Sequence, residues 1–307
     1  MFETADEMLR RKGLVAYASH AVSWEWEGFQ PRLVVFDLKR NDILDLKDEF
    51  APGGRIDITI SDVRRCVGSF DKEGYHPCMM RQVVTGQHDQ CQKCASTWIP
   101  VQNCIFEPEC DGVHTDCKGG SICAKEHHVY AAFYGGLTKV GMTLSSRFLE
   151  RAIEQGADAI VQLGSYPNRL AARKAENDLS KALKATQWVR KTTFLKEQGR
   201  RLDRDTYQEM LDRALEPLGL RALGQVRILD QYPLLEWDLT KASIPELTAR
   251  HRGEVLGCKG KFLFYRLRDD SIRLLDMASV PSRYVTVEQR NLNKGQEYVS
   301  PIPDDGA

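Results

Sequence analysis

The sequence predicts an α+β, multi-domain chain in which small antiparallel β domains flank a cysteine-rich segment and a compact β-β-α-β-α module. Three observations carry this expectation. Short apolar runs with period-two alternation, punctuated by turn residues, occupy both ends of the chain. Seven cysteines crowd into the 46 residues from Cys78 to Cys123. From His128 onwards, strand and helix patterns alternate with short connections until about residue 186. The expected divisions are an N-terminal β domain (1–75), the Cys-rich segment (76–127), the β-β-α-β-α module (128–186), a helical extension (187–250) and a C-terminal β domain with its tail (251–307).

The N-terminal domain reads as β because Leu33-Val34-Val35-Phe36 is a compact apolar run and Ile56, Ile58 and Ile60 alternate strictly. Asn41-Asp42 and Pro52-Gly53-Gly54 supply the turns between such runs. The Cys-rich segment holds few aliphatic residues, so a metal is the natural source of its folding energy. Its sharpest piece is Cys91-Gln-Lys-Cys94, where two intervening residues let both thiolates reach one tetrahedral ion. One partition takes Cys78, Cys91, Cys94 and Cys104 as a first zinc site, with Cys110, Cys117, Cys123 and His127 as a second. A rival partition groups Cys104, Cys110, Cys117 and Cys123, and completes the first site with His76 or His88. All-thiolate sites leave no open coordination position, so one or two such zinc ions would be structural. Cys66 and Cys258 stand apart from the cluster.

In the module, Val129 to Tyr134 and Leu137 to Gly141 read as a hairpin turned at Gly135-Gly136. Phe148, Leu149, Ala152 and Ile153 share one helix face, and Gly156 is the expected stop. Ala159 to Leu163 forms a third strand. Pro167-Asn168 then introduces a second helix with Ala171, Ala175, Leu179, Ala182 and Leu183 as its buried stripe. The extension is helical and polar over 187–223, and the block from Arg252 to about Glu288 returns to β.

Composition bounds the function. The chain has 307 residues, and 42% hydrophobic with 28% charged residues is globular composition that excludes overall disorder. No apolar run approaches the ~18 residues of a membrane span, and the N-terminus is charged rather than apolar, unlike a secretory signal. A reducing, cytoplasmic compartment and metal ligation by the cysteines are the expectation. The 43 Lys+Arg balance the 43 Asp+Glu, which speaks against nucleic acid only on average. From Lys139 to Arg204 there are 14 Lys+Arg against seven acids, so this stretch is +7 and the remainder −7. Such a local excess is the electrostatic footprint of phosphate contact. Trp188 and Phe194 lie within it and are candidates either for base stacking or for burial.

The residues off the apolar faces form a chemical kit. Tyr130 and Lys139 sit on the two hairpin strands, Arg147 and Arg151 are one helical turn apart, and Glu176 lies on the second helix. A carboxylate can hold a hard divalent ion, an arginine can bind phosphate oxygens bidentately, and a phenol of lowered pKa can relay a proton. His128-Val129-Tyr130, Lys139-Val140-Gly141-Met142-Thr143, the arginines and the downstream glutamate resemble the GIY-YIG nuclease superfamily. That resemblance, over residues 127–185, implies a three-stranded antiparallel sheet flanked by helices, and Mg²⁺- or Mn²⁺-dependent endonuclease cleavage of structured DNA or RNA. It implies Tyr130 as general base, Arg151 as catalytic arginine and Glu176 as ligand of the divalent ion, with Lys139 and Arg147 supporting phosphate. Lys139 replaces the tyrosine that opens the second motif, and His128 stands where the first motif has glycine. Over about two thirds of its length the chain resembles an archaeal and bacterial family, domain-of-unknown-function family 2797. The landmarks are the cysteine cluster, Arg151-Ala152-Ile153-Glu154-Gln155-Gly156-Ala157, Asn168-Arg169, Glu176 and Gly257-Cys258-Lys259-Gly260. Two other functions fit the same residues: a non-catalytic, zinc-stabilised RNA- or DNA-binding protein, and a zinc-stapled assembly scaffold. A nuclease requires Tyr130, Arg151 and Glu176 to converge on one open concave surface.

Overall fold

A computed structural model describes residues 19–71, 73–86, 88–95, 104, 107–112, 120–200 and 202–287. They fall into two compact units. The first draws on Met1–Ser96, Pro233–Leu235 and Ser243–Ala307, the second on Thr97–Tyr232 and Glu236–Ala242.

The first unit is an eight-stranded sheet. Its strands are β1 (Ser19–Glu27), β2 (Gln30–Asp37), β3 (Asp42–Asp45), β4 (Arg55–Arg64), β11 (Arg250–Lys259), β12 (Phe262–Arg266), β13 (Ile272–Asp276) and β14 (Arg283–Val287). The order is β13-β12-β11-β4-β14-β1-β2-β3, and each neighbouring pair is antiparallel. Ile56, Ile58 and Ile60 bury their side chains as the alternation requires. Phe262 to Tyr265 is buried throughout, as a continuous apolar run predicts. The expected separation into an N-terminal and a C-terminal β domain is corrected here. β4 pairs with β11 on one side (Ile58 opposite His251) and with β14 on the other (Thr59 opposite Thr286), so strands from 19–64 and from 250–287 build one sheet. Alternation along a strand reports which face is buried and is silent about which strand lies alongside. A two-stranded ribbon, β5 (Ser69–Asp71) with β6 (Gly74–His76), follows β4.

The second unit carries the β-β-α-β-α order. β7 (His127–Tyr134) and β8 (Leu137–Leu144) form the hairpin, followed by α1 (Phe148–Gln155), β9 (Ala159–Tyr166) and α2 (Arg169–Ala182). Gly156, in the left-handed region, ends α1. Asn168 starts α2 by accepting a hydrogen bond from the Ala171 amide at 2.8 Å. β10 (Arg227–Ile228) completes an antiparallel sheet of order β10-β9-β7-β8. The extension supplies α3 (Lys191–Glu197) and α4 (Arg204–Leu215). Ala131 and Phe133 of β7 pack with Tyr207, Leu211 and Leu215 of α4, while Val129 and Val140 pack with Ala172 of α2. The alternate β7 residues Tyr130 and Tyr134 meet Phe148 and Phe194, with ring centroids 6.1 and 6.2 Å apart. Phe194 is therefore a core residue, whereas Trp188 is exposed. No helix among the described residues is long and apolar enough to cross a membrane.

Candidate metal centre and tyrosine site

Four cysteine sulfurs of the first unit, those of Cys66, Cys78, Cys91 and Cys94, lie within 4.8 Å of one another. Tetrahedral Zn–S bonds of ~2.3 Å put sulfurs roughly 3.8 Å apart, so the group fits zinc or a similar thiophilic ion. Cys66 leaves β4 and is fixed by its amide, which donates to the Gln82 carbonyl at 2.8 Å. Its sulfur accepts from the amides of Cys91 (3.1 Å) and Gly68 (3.4 Å). Gly68 has φ +90°, and a side chain there would place Cβ 2.2 Å from the His76 carbonyl oxygen, so the chain can turn away from Cys66 only at a glycine. Cys91 and Cys94 sit on one tight turn, with the Cys94 amide donating to the Cys91 carbonyl at 3.0 Å. Gln90 ties the two sides together, donating to the carbonyls of Gly68 and Cys94.

Electrostatics suit a cation. Burial pushes the thiols of Cys66 and Cys94 up. Burial acts the same way on Cys91, but the Cys94 amide and the thiols of Cys66 and Cys94 outweigh it and hold Cys91 down to about 7. A thiol whose proton is held less tightly than usual favours metal binding, which requires the thiolate.

Of the four residues expected at the first site, Cys78, Cys91 and Cys94 lie together, and the fourth member of the group that could hold a metal is Cys66 rather than Cys104. Cys66 stands 12 residues ahead of Cys78, and the ladder from β4 into the loop brings it back. The even spacing Cys66, Cys78, Cys91 was the available signal. Cys104 lies in the other unit, where its carbonyl accepts from Arg169 at 2.9 Å and the same Arg169 nitrogen lies 3.9 Å from the Cys123 sulfur. His127 is buried, its Nδ1 is 2.8 Å from the Lys125 carbonyl, and burial lowers its pKa. Among the described residues, Cys104, Cys110, Cys123 and His127 do not bring three ligand atoms together. Cys117, like His114, lies outside the described residues. None of the eight described cysteines is in a disulfide.

In the second unit, the register places Tyr130 opposite Gly141 and Ala132 opposite Lys139, so Tyr130 and Lys139 share one sheet face. Gln155, the last residue of α1, joins them. Its Oε1 accepts from Lys139 Nζ at 2.6 Å and from the Tyr130 hydroxyl at 3.3 Å. Sequence reasoning assigned Gln155 no role. Its signal was its place beside the Gly156 helix stop, one turn after Arg151.

Arg147 and Arg151 form a paired helix face. Arg147 donates to Glu150 (2.7 Å) and Glu154 (2.5 Å), and Arg151 donates to Glu154 at 2.9 Å. Glu176 is 6% exposed and accepts from Arg173 at 2.7 Å, while Arg173 also binds Glu107. Tyr130 is 1% exposed, and burial pushes its hydroxyl up to about 12, with Arg151 pulling it down and Glu176 pushing it up. At neutral pH about one phenol in 10⁵ is then ionised. Arg151 and Glu176 thus reach Tyr130 through their fields, and no hydrogen bond joins either to it among the described residues.

A family model described as "Protein of unknown function (DUF2797)" matches residues 53–280. The chain belongs to that family. All four cysteines of the metal centre and Tyr130, Lys139, Gln155 and Glu176 fall inside the DUF2797 match. No curated protein and no solved structure matches the chain.

Proposed function

We propose that the chain binds nucleic acid through its basic β-β-α-β-α unit, with the four-cysteine group holding a structural zinc ion. One observation carries the reading. Between Lys174 and Arg200, the cations of Lys174, Lys181, Lys184, Arg190, Lys196 and Arg200 are exposed, against the exposed carboxylate of Asp178. Of the other two carboxylates in this stretch, Glu176 is buried and paired with Arg173, and Glu197 is paired with Arg200 at 3.5 Å. A surface of this sign attracts phosphate, and its affinity falls linearly with the logarithm of salt as counterions are released. The test is binding of labelled DNA and RNA by the full chain across a salt series. A steep negative slope is expected, and binding insensitive to salt, or none at all, would sink the proposal.

A second reading adds cleavage, following the GIY-YIG resemblance. What supports it is that the Tyr130 phenol feels both Arg151 and Glu176. It requires Arg173 to release Glu176 to Mg²⁺ or Mn²⁺, and a cation to bring the Tyr130 pKa down. The first reading is preferred because a nuclease requires these groups on an open surface, and here Tyr130 is sealed from solvent and Glu176 is buried and paired with Arg173. A cleavage assay with each ion separates them. Cutting that Glu176→Ala abolishes favours the nuclease, and binding without cutting favours the non-catalytic protein.

A further inference from the structure

We infer that Trp188 is a stacking platform for an unpaired base, so that the preferred ligand is single-stranded nucleic acid. The inference rests on the nucleic-acid reading above and deepens it.

Trp188 is 70% exposed, although indole is the side chain with most to gain from burial. Its backbone is nonetheless held firmly. Thr186 bridges to Lys139 at the edge of β8, its carbonyl accepting from Val140 at 2.9 Å and its amide donating to Thr138 at 3.3 Å. The Thr186 hydroxyl donates to the Trp188 carbonyl (2.7 Å) and accepts from the Trp188 amide (3.1 Å). Gln187 donates to Asn177 of α2 at 2.8 Å. The backbone that carries the exposed ring is thus anchored on two elements, which lowers the entropy lost when a ligand is gripped.

The flanks decide the partner. Lys181, Lys184 and Arg190 are exposed on either side of Trp188 in sequence. An exposed aromatic ring in a segment that carries these cations suits a strand whose phosphates meet the cations while a base lies on the ring. A duplex hides its base faces in the stack.

The experiment measures binding of fluorescein-labelled oligo(dT) and oligo(U) of about 15 nucleotides, and of a duplex of equal length, by anisotropy. Wild type, Trp188→Ala, Trp188→Phe and Lys184→Ala are compared from about 50 to 200 mM salt. Wild type should prefer the single strands. Trp188→Ala should weaken them roughly 5- to 150-fold without changing the salt slope, and Trp188→Phe should keep most of the affinity. Lys184→Ala should shallow the slope. If Trp188→Ala binds single strands within about twofold of wild type, the inference is overturned while the nucleic-acid reading stands. An acidic polypeptide that displaces the strand through Trp188 with equal avidity also overturns it. If wild type binds neither strand nor duplex, both readings fall. Equal thermal melting of the Trp188 variants and wild type confirms that the fold is intact.

Discussion

A Cβ on Gly141 would stand 2.7 Å from both Cζ and Oη of Tyr130, the residue opposite it across the β7–β8 ladder. The tyrosine lies flat over the position where the neighbouring strand has no side chain. Gly141→Ala should therefore force the phenol from its place and cost about 1–3 kcal/mol, as overpacking does. The check is urea denaturation, with Tyr130→Ala as the second arm of a double-mutant cycle. In that background Gly141→Ala should cost much less, and equal costs in both backgrounds would refute the contact.

Removing Cys66 should empty the metal centre. Elemental analysis of Cys66→Ser should lose about one equivalent of zinc relative to wild type. Cys104→Ser should keep this ion, because Cys104 belongs to the other unit. Cys258→Ser, in the apolar interior of β11, should also leave the metal content unchanged. With free zinc 1,000-fold above its Kd, the loaded protein should be about 4 kcal/mol more stable than the apo form. A wild type that carries no metal would defeat the assignment.

Acid should weaken the first unit through His20. Its ring is 2% exposed, packs on Tyr284 at 5.0 Å, and has its pKa lowered by burial to about 4. The neutral ring's contribution is whole above the unfolded value of about 6.5 and is lost as pH falls towards 4. Between pH 7 and pH 5 the loss amounts to roughly 2 kcal/mol. Urea midpoints should fall accordingly in wild type. In His20→Leu the same interval should be flatter, and an unchanged slope would dismiss His20 as the source.

The two ends of α2 should respond in opposite senses. Asn168→Ala removes the acceptor for the Ala171 amide and should cost about 1 kcal/mol. At the other end, Lys184 has φ +51°, with its amide donating to Lys181 and the Ala185 amide to Ser180. This is the helix-ending pattern that glycine fills at least cost. Lys184→Gly should stabilise by about 0.5–1 kcal/mol, less than the strain relieved because glycine is freer when unfolded. Thermal melts of both variants check the pair of signs.

Features set by neighbours along the chain are legible in the amino-acid sequence alone. The Gly135-Gly136 hairpin, the Gly156 stop, the Asn168 cap and the Ile56–Ile60 alternation all depend on a few consecutive residues. The Cys91–Cys94 turn is legible for the same reason. What escapes depends on strands and loops meeting across long separations. Cys66 joins the four-cysteine group because the chain beyond β4 runs beside residues 82–89, as its contacts with Gln82 and Cys91 record. Gln155 bridges Tyr130 and Lys139 only once α1 lies over the hairpin. The Glu107–Arg173–Glu176 chain spans 69 residues of sequence, which no local pattern encodes.

The position of β4 between β11 and β14 imposes an order on biosynthesis. Arg55–Arg64 emerges well before both strands that will flank it, Arg250–Lys259 and Arg283–Val287. At roughly 5–20 residues per second, Arg64 precedes Val287 by on the order of ten to forty-five seconds. Until Arg250–Lys259 appears both edges of an isoleucine-rich strand lack their partners, and one edge still does until Arg283–Val287 follows, the condition that invites wrong pairing. The residues translated meanwhile include the Cys66–Cys94 loop, whose sulfurs are all present before the partners of β4 exist. Zinc captured at that stage would pin the end of the waiting strand into a closed loop.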